Sequence, residues 1–148
     1  MSLPPGAPVG DGPKIGDSIG KTEFGPVRAE DLARYALASG DDNPLHLDAG
    51  VAAAAGLKAP PIHGMLMMSC FEPALRRWRP DLVIARISAK FLRPVPVGDS
   101  IVISGRIVRA TSGPEAELLL RLMAHGSNGD LAVLAEATLA PASRQAEL

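Results

Sequence analysis

Asp41 and His46 stand five residues apart, with Asn43 and Pro44 between them. A carboxylate and an imidazole held close can grip one water from two sides, one accepting its proton while the other donates. Neutral imidazole titrates near pH 7, which suits that exchange. Asn43 can hold the intervening turn through its side-chain amide, and Pro44 restricts the residue before it to extended geometry. Further along, His63-Gly64 opens a long apolar segment. The first N–H groups of a helix have no internal partner, and the helix dipole favours negative charge there. Gly64, with no side chain, lets a developing anion approach such a donor closely. His63 either shapes this site or fills the corner where the helix begins. Each residue taken singly is ordinary turn or corner chemistry; the string at this spacing is what points to catalysis.

The surrounding pattern predicts elements that could hold these groups. Glu30 and Asp31 suit the start of a helix on which Leu32, Tyr35, Ala36 and Ser39 share one face, and Gly40 stops it. Asp41 to Pro44 reads as a turn, and Ala49 to Ala55 as a short helix closed by Gly56. Pro60-Pro61 is expected to open a second helix over about residues 62–77, apolar nearly all round and therefore surrounded by protein, with Pro73 bending or ending it. From there the period becomes two. Val83, Ala85, Ile87, Ala89 and Phe91 alternate with Arg86, Ser88 and Lys90, and three further alternating runs follow near 101–107, 116–125 and 131–139. Four consecutive strands and one buried helix predict an antiparallel sheet curled around that helix, an α+β architecture.

A chain of 148 residues, 47% hydrophobic and 21% charged, is expected to be one globular domain. Its predicted limits are a flexible arm over 1–14, one domain over 15–142 and a C-terminal tail over 143–148. A formal net charge of -1 and five aromatic residues argue against a nucleic-acid binder. The most apolar stretch, Ile62 to Phe71, is about ten residues against the roughly twenty that a membrane span needs. One cysteine, Cys70, allows no internal disulfide, and no signal peptide is visible, so a cytoplasmic location is expected. The glycines of residues 10–16 lack the preceding strand and the spacing of a dinucleotide loop. His46, His63, His125 and Cys70 show no metal-ligand spacing, so no metal is expected. His125 reads as an exposed strand residue. Met65, Met67 and Met68 read as core packing, or as a flexible apolar wall.

The string Ser39-Gly40-Asp41-Asp42-Asn43-Pro44-Leu45-His46, followed by His63-Gly64-Met65, resembles the signature of the MaoC-like dehydratase or (R)-specific enoyl-CoA hydratase family. The resemblance runs from about Phe24 to Ala140 and includes the Phe91-Leu-Arg-Pro-Val-Pro-Val-Gly-Asp99 corner. It implies a hot-dog fold, a curved antiparallel sheet wrapped around a long central helix. It implies reversible hydration of a trans-2-enoyl-CoA to an (R)-3-hydroxyacyl-CoA, with Asp41 and His46 catalytic and the Gly64 amide as oxyanion donor. Asn43 and His63 would support the substrate site. Which of Asp41 and His46 is formally the base stays open. No cofactor is implied beyond the coenzyme A of the substrate, and the family's shared sites imply a homodimer. The same fold could instead serve an acyl-CoA thioesterase, with Glu72 as its acid, or a non-catalytic acyl-CoA-binding subunit. Some family members carry a small hydroxyl residue at the position of Glu72; here an outward carboxylate paired with Arg76 is expected, because an unpaired buried charge is costly. Residues 76–109 hold eight Lys/Arg against Asp81 and Asp99. Coenzyme A phosphates would prefer that region, although a solvated strand face explains the same charges.

Overall fold

The alternating runs resolve into a five-stranded antiparallel sheet in a computed structural model that describes residues 12–145. Its strands are β1 (Thr22–Phe24), β2 (Leu82–Phe91), β3 (Ile101–Ala110), β4 (Leu118–His125) and β5 (Leu131–Pro141), in the spatial order β1-β3-β4-β5-β2. Residues 1–11 of the expected arm and 146–148 of the expected tail lie outside the described residues. From Gly16 the chain is tied to β3, the Gly16 N–H donating to the Ile107 carbonyl at 2.7 Å. Among the described residues five α-helices, α1 (Ala29–Ser39), α2 (Ala49–Ala54), α3 (Gly64–Ser69), α4 (Phe71–Trp78) and α5 (Ala142–Gln145), accompany the sheet. Inward residues such as Ile103, Ile107, Leu120, Leu122 and Val133 are fully buried in one core with Met67, Phe71, Ala74 and Leu75 of α3 and α4. That is the predicted α+β arrangement, a sheet closed over a buried helical layer.

Four local expectations need correction. The strand β1 has only three residues, too few to show an alternation, yet it pairs Thr22 with Ile103 and Phe24 with Ile101. In β2 a register shift falls at Ala85, so Ile84, Ile87 and Ala89 face the core, while Ala85 is exposed. An extra residue at a bulge moves every later side chain by one face. The second helix begins at Gly64 rather than behind Pro60-Pro61. Those prolines instead lie extended: Pro61 bridges Pro96, and the Ile62 N–H donates to the Val95 carbonyl at 2.8 Å. Finally the helix is interrupted at Cys70, which ends α3 and precedes α4. Pro73 cannot donate to the Ser69 carbonyl and its ring would press on it, so the chain restarts the helix with Pro73 in the first turn.

The segments flanking the candidate site are capped as their sequence suggests. Asp31 accepts from the Arg28 N–H at 2.9 Å and pairs with Arg34, and both interactions hold its carboxyl below the usual range. Gly40, at φ 79°, ends α1 in the left-handed conformation, its N–H reaching the Ala36 carbonyl at 2.9 Å. Asp48 caps α2 by accepting from Gly50 at 2.8 Å and Val51 at 3.1 Å.

Candidate active site

Between Gly40 and Asp48 the chain is held by its own side chains. Ser39 Oγ accepts from the Asp41 N–H at 3.1 Å and donates to the Tyr35 carbonyl at 2.7 Å. Asn43 Oδ1 accepts from the Leu45 N–H at 3.0 Å, capping the 3-10 turn Pro44–His46. Asn43 therefore holds the loop, as its position suggests.

Two longer ties bring this loop to the start of α3. His46 Nδ1 lies 2.8 Å from the Pro61 carbonyl. A carbonyl only accepts, so Nδ1 carries the proton and a neutral ring leaves Nε2 as an acceptor. His63 Nε2 likewise donates to the Asp41 carbonyl at 3.1 Å. The two imidazoles stack at 4.0 Å with 22° between their planes, and Tyr35 packs on His63 at 4.6 Å. His63 is only 1% exposed, and its Nδ1 has no hydrogen-bond partner. Burial first, then the neighbouring His46, pushes the His63 pKa down; the bond to the Asp41 carbonyl opposes them. Burial thus favours the neutral form of the His63 ring.

One ligating atom each of Asp41, His46 and His63 lie within 4.8 Å of one another. Two hydrogen bonds of about 2.8 Å through one water span such a gap. Asp41 is exposed and His46 half-buried, so the pair meets solvent on one side. Asp41 Oδ1 receives only a long 3.4 Å contact from the Asn43 N–H among the described residues. The three form a cluster of metal-binding side-chain types, although their chain spacing is not that of a metal site. In each ring one nitrogen donates to a backbone carbonyl, which leaves the other nitrogen able to accept.

Gly64 is the first residue of α3, beside the ring of Phe91, where a Cβ would lie 2.9 Å from Phe91 Cδ1. A cavity of about 240 Å³ opens there, lined by Gly64, Ile62, Met67, Phe91 and Arg93. A second, of about 430 Å³, lies between α1 and α3 against Tyr35, Ile62, Leu66, Met67, Cys70 and Ile101. Ile62 and Met67 border both. Met67 is therefore core and wall at once, whereas Met65 is 56% exposed. Burial pushes the Cys70 thiol up to about 11.

Other candidates sit elsewhere. Glu72 is exposed and pairs with Arg76 at 3.4 Å, the outward arrangement expected for it. His125 is half-buried in β4 rather than exposed. The cations of residues 76–109 do not converge on Gly64: only Arg93 lines its cavity, and it is 3.3 Å from Asp130. Sequence reading missed Tyr35, Phe91 and the Pro61 carbonyl as parts of the site. Tyr35 was legible as sharing a face of α1 with Leu32 and Ala36, but a backbone acceptor leaves no mark in a sequence.

Residues 12–118 match the MaoC like domain family. The (R)-specific enoyl-CoA hydratase of Aeromonas caviae is 35% identical over 114 residues, covering 75% of this chain and 84% of that protein. A mitochondrial 3-hydroxyacyl-[acyl-carrier-protein] dehydratase of Arabidopsis thaliana is 37% identical over 89 residues, covering 60% of this chain but only 52% of that longer protein. Among solved structures, the (R)-hydratase from A. caviae involved in PHA biosynthesis superposes with a TM-score of 0.77 at 29% identity, covering 85% of this chain and 95% of that one.

Proposed function

This chain belongs to the MaoC-like domain family, and from that premise we propose that it reversibly hydrates a trans-2-enoyl thioester to the (R)-3-hydroxyacyl thioester. The observation that carries the reading is the pair of ties from His46 to the Pro61 carbonyl and from His63 to the Asp41 carbonyl. Together they draw the Asp41 carboxylate and the His46 imidazole within reach of one shared water, next to the residue that precedes α3, which supports this reading. In the forward direction the water bridges Asp41 and His46 Nε2. Its oxygen bonds to the β-carbon as one of its protons passes to the pair, and the pair returns a proton to the α-carbon. Charge that gathers on the thioester oxygen meets the Gly64 N–H, a donor of a kind worth about two to three powers of ten in rate. His63 acts by holding the Asp41 backbone and the His46 ring, and Asn43 by holding the turn. The 430 Å³ cavity is apolar and adjoins the site, which suits an acyl chain.

No metal or cofactor enters this scheme; coenzyme A, or the phosphopantetheine of a carrier protein, comes with the substrate. The edge strand β2 has one unpaired side, and the neighbouring Phe91 and Leu92 are each half exposed, which supports a homodimer formed along that edge. No described helix is long and apolar enough to cross a membrane. The free thiol of Cys70 suits the reducing cytoplasm.

Crotonyl-CoA and butyryl-CoA, offered in parallel, test the reading. Hydration of crotonyl-CoA alone, with a product oxidised only by an (R)-specific 3-hydroxyacyl dehydrogenase, is expected. Release of free coenzyme A thiol from both would point to a thioesterase, and binding without turnover to a non-catalytic subunit. The outward Glu72–Arg76 pair leaves the thioesterase reading without its acid.

A further inference from the structure

We infer that the outer face of the sheet is a docking surface for an acidic protein carrying the acyl thioester, an inference that rests on the hydratase reading above. Strand register sets that face out in rows. One row runs Arg109, Leu119, Thr138, Arg86 across β3, β4, β5 and β2; the next runs Arg106, Arg121, Glu136, Ser88; a third ends with Met123, Leu134, Lys90. These four strands thus turn five cations outward against one carboxylate, in a chain whose net charge is -1. Glu23 on β1 and Glu117 just before β4 stand only at its borders.

Folding alone does not account for this arrangement. Arg106 and Arg121 are direct cross-strand partners, and like charges so placed destabilise a sheet. Arg121 leans to Glu136 at 3.8 Å, but Arg86, Lys90, Arg106 and Arg109 make no ion pair among the described residues. Between them Leu119, Met123 and Leu134 are only half covered, and a concavity of about 410 Å³ lies over Lys90, Arg121, Leu134 and Glu136.

The spread of the cations selects the partner. From Arg86 to Lys90 is about 13 Å along the strand, and from β2 to β3 about 14 Å across. One phosphate cannot bridge such distances, whereas carboxylates ranged along a helix can meet several of these cations at once. Lys90 and Phe91 are adjacent and face opposite sides, so a protein on the outer face sits about one layer, roughly 10 Å, from Gly64 at the end of β2. A thioester on a flexible arm passes that end; the phosphates of coenzyme A, clustered at one end of such an arm, would meet fewer of these cations than a helix of carboxylates.

The probe is a fluorescently labelled holo acyl carrier protein charged with a crotonyl group. Anisotropy should report binding that weakens with added salt. The variant Arg86→Ser/Lys90→Ser/Arg106→Ser/Arg109→Ser should bind at least about tenfold more weakly, with crotonyl-CoA turnover unchanged. Arg106→Gln alone, which relieves the cross-strand repulsion, should melt no lower than wild type and still bind more weakly. Equal binding by both variants, salt-independent binding, or equally tight capture of a DNA duplex would overturn the inference. A wild-type protein that binds the carrier but hydrates neither thioester would instead sink the hydratase reading and leave the docking surface standing.

Discussion

Replacing His63 with Phe would separate what this ring does for stability from what it does for turnover. The phenyl ring can keep the stack on His46 and the contact with Tyr35, but it cannot donate to the Asp41 carbonyl. Loss of that donor costs about 1–3 kcal/mol if the carbonyl stays dry. The same change removes the buried Nδ1 that has no partner, relieving a penalty of about the same size. Stability at pH 8 should therefore change by less than about 1 kcal/mol. Turnover should not escape: with the backbone of Asp41 released, a displacement of about 1 Å in the carboxylate costs about a hundredfold in kcat. Acid adds a second signature. Burial lowers the folded-state pKa of His63 below the ordinary 6.5, so the unfolded chain binds the proton more readily. His63 thus contributes stability that is present above about pH 6.5 and is lost as pH falls from there toward the lowered folded value, at up to about 1.4 kcal/mol per pH unit. Thermal melts from pH 8 down to 5, run beside crotonyl-CoA kinetics, test both parts. A variant with wild-type kcat, or with a Tm that falls with acid as steeply as wild type, would refute the reasoning.

Asp41→Asn and His46→Gln should each lower kcat by about three powers of ten or more without changing the circular dichroism, and the double variant should be little worse than either; multiplicative losses would show that the two do not act as a unit. Gly64→Ala drives a Cβ to 2.9 Å from the Phe91 ring and should cost about tenfold in kcat/KM, partly restored by Phe91→Leu; unchanged kinetics in the single variant would count against close approach at Gly64. Glu72→Gln should keep the wild-type pH–rate profile, since Glu72 is exposed and paired with Arg76; a displaced optimum would mean that its carboxylate reaches Asp41. Cys70, with its thiol pushed up to about 11, should resist iodoacetamide at pH 8 in the folded protein and label fully in denaturant, as read by mass spectrometry.

The loop was legible because its interactions are local. Gly40, Asn43, Pro44 and Asp48 each announce a backbone conformation or a cap that a neighbouring residue satisfies. Most strands were legible for the same reason, their alternation being visible over eight residues or more. What stayed hidden was set by partners distant in the chain. Pro60-Pro61 reads as a helix start, yet the extended chain at 94–97 recruits it as a bridge. The bulge at Ala85 answers to β5, and β1 is held in place by β3. The proximity of Asp41 and His46 could be argued from five residues of spacing. The stack of His63 on His46 could not, because it depends on where α3 begins.

The ties of the catalytic loop are short in another sense. His46 reaches Pro61 and His63 reaches back to Asp41, whereas β2 pairs residue 91 with 133 and residue 82 with 141. The entropy of closing a loop grows with its length, and non-local strand pairing dominates folding time. The loop ties therefore close over shorter stretches of chain than the β2–β5 seam, and closure of that seam is the slower step. Substitutions in the β2–β5 seam away from Phe91 should slow folding and lower yield while leaving the turnover of each folded molecule untouched. The seam thus sets how fast the molecule closes, while Pro96, Val95 and Phe91 are the points at which the sheet still grips the reactive loop.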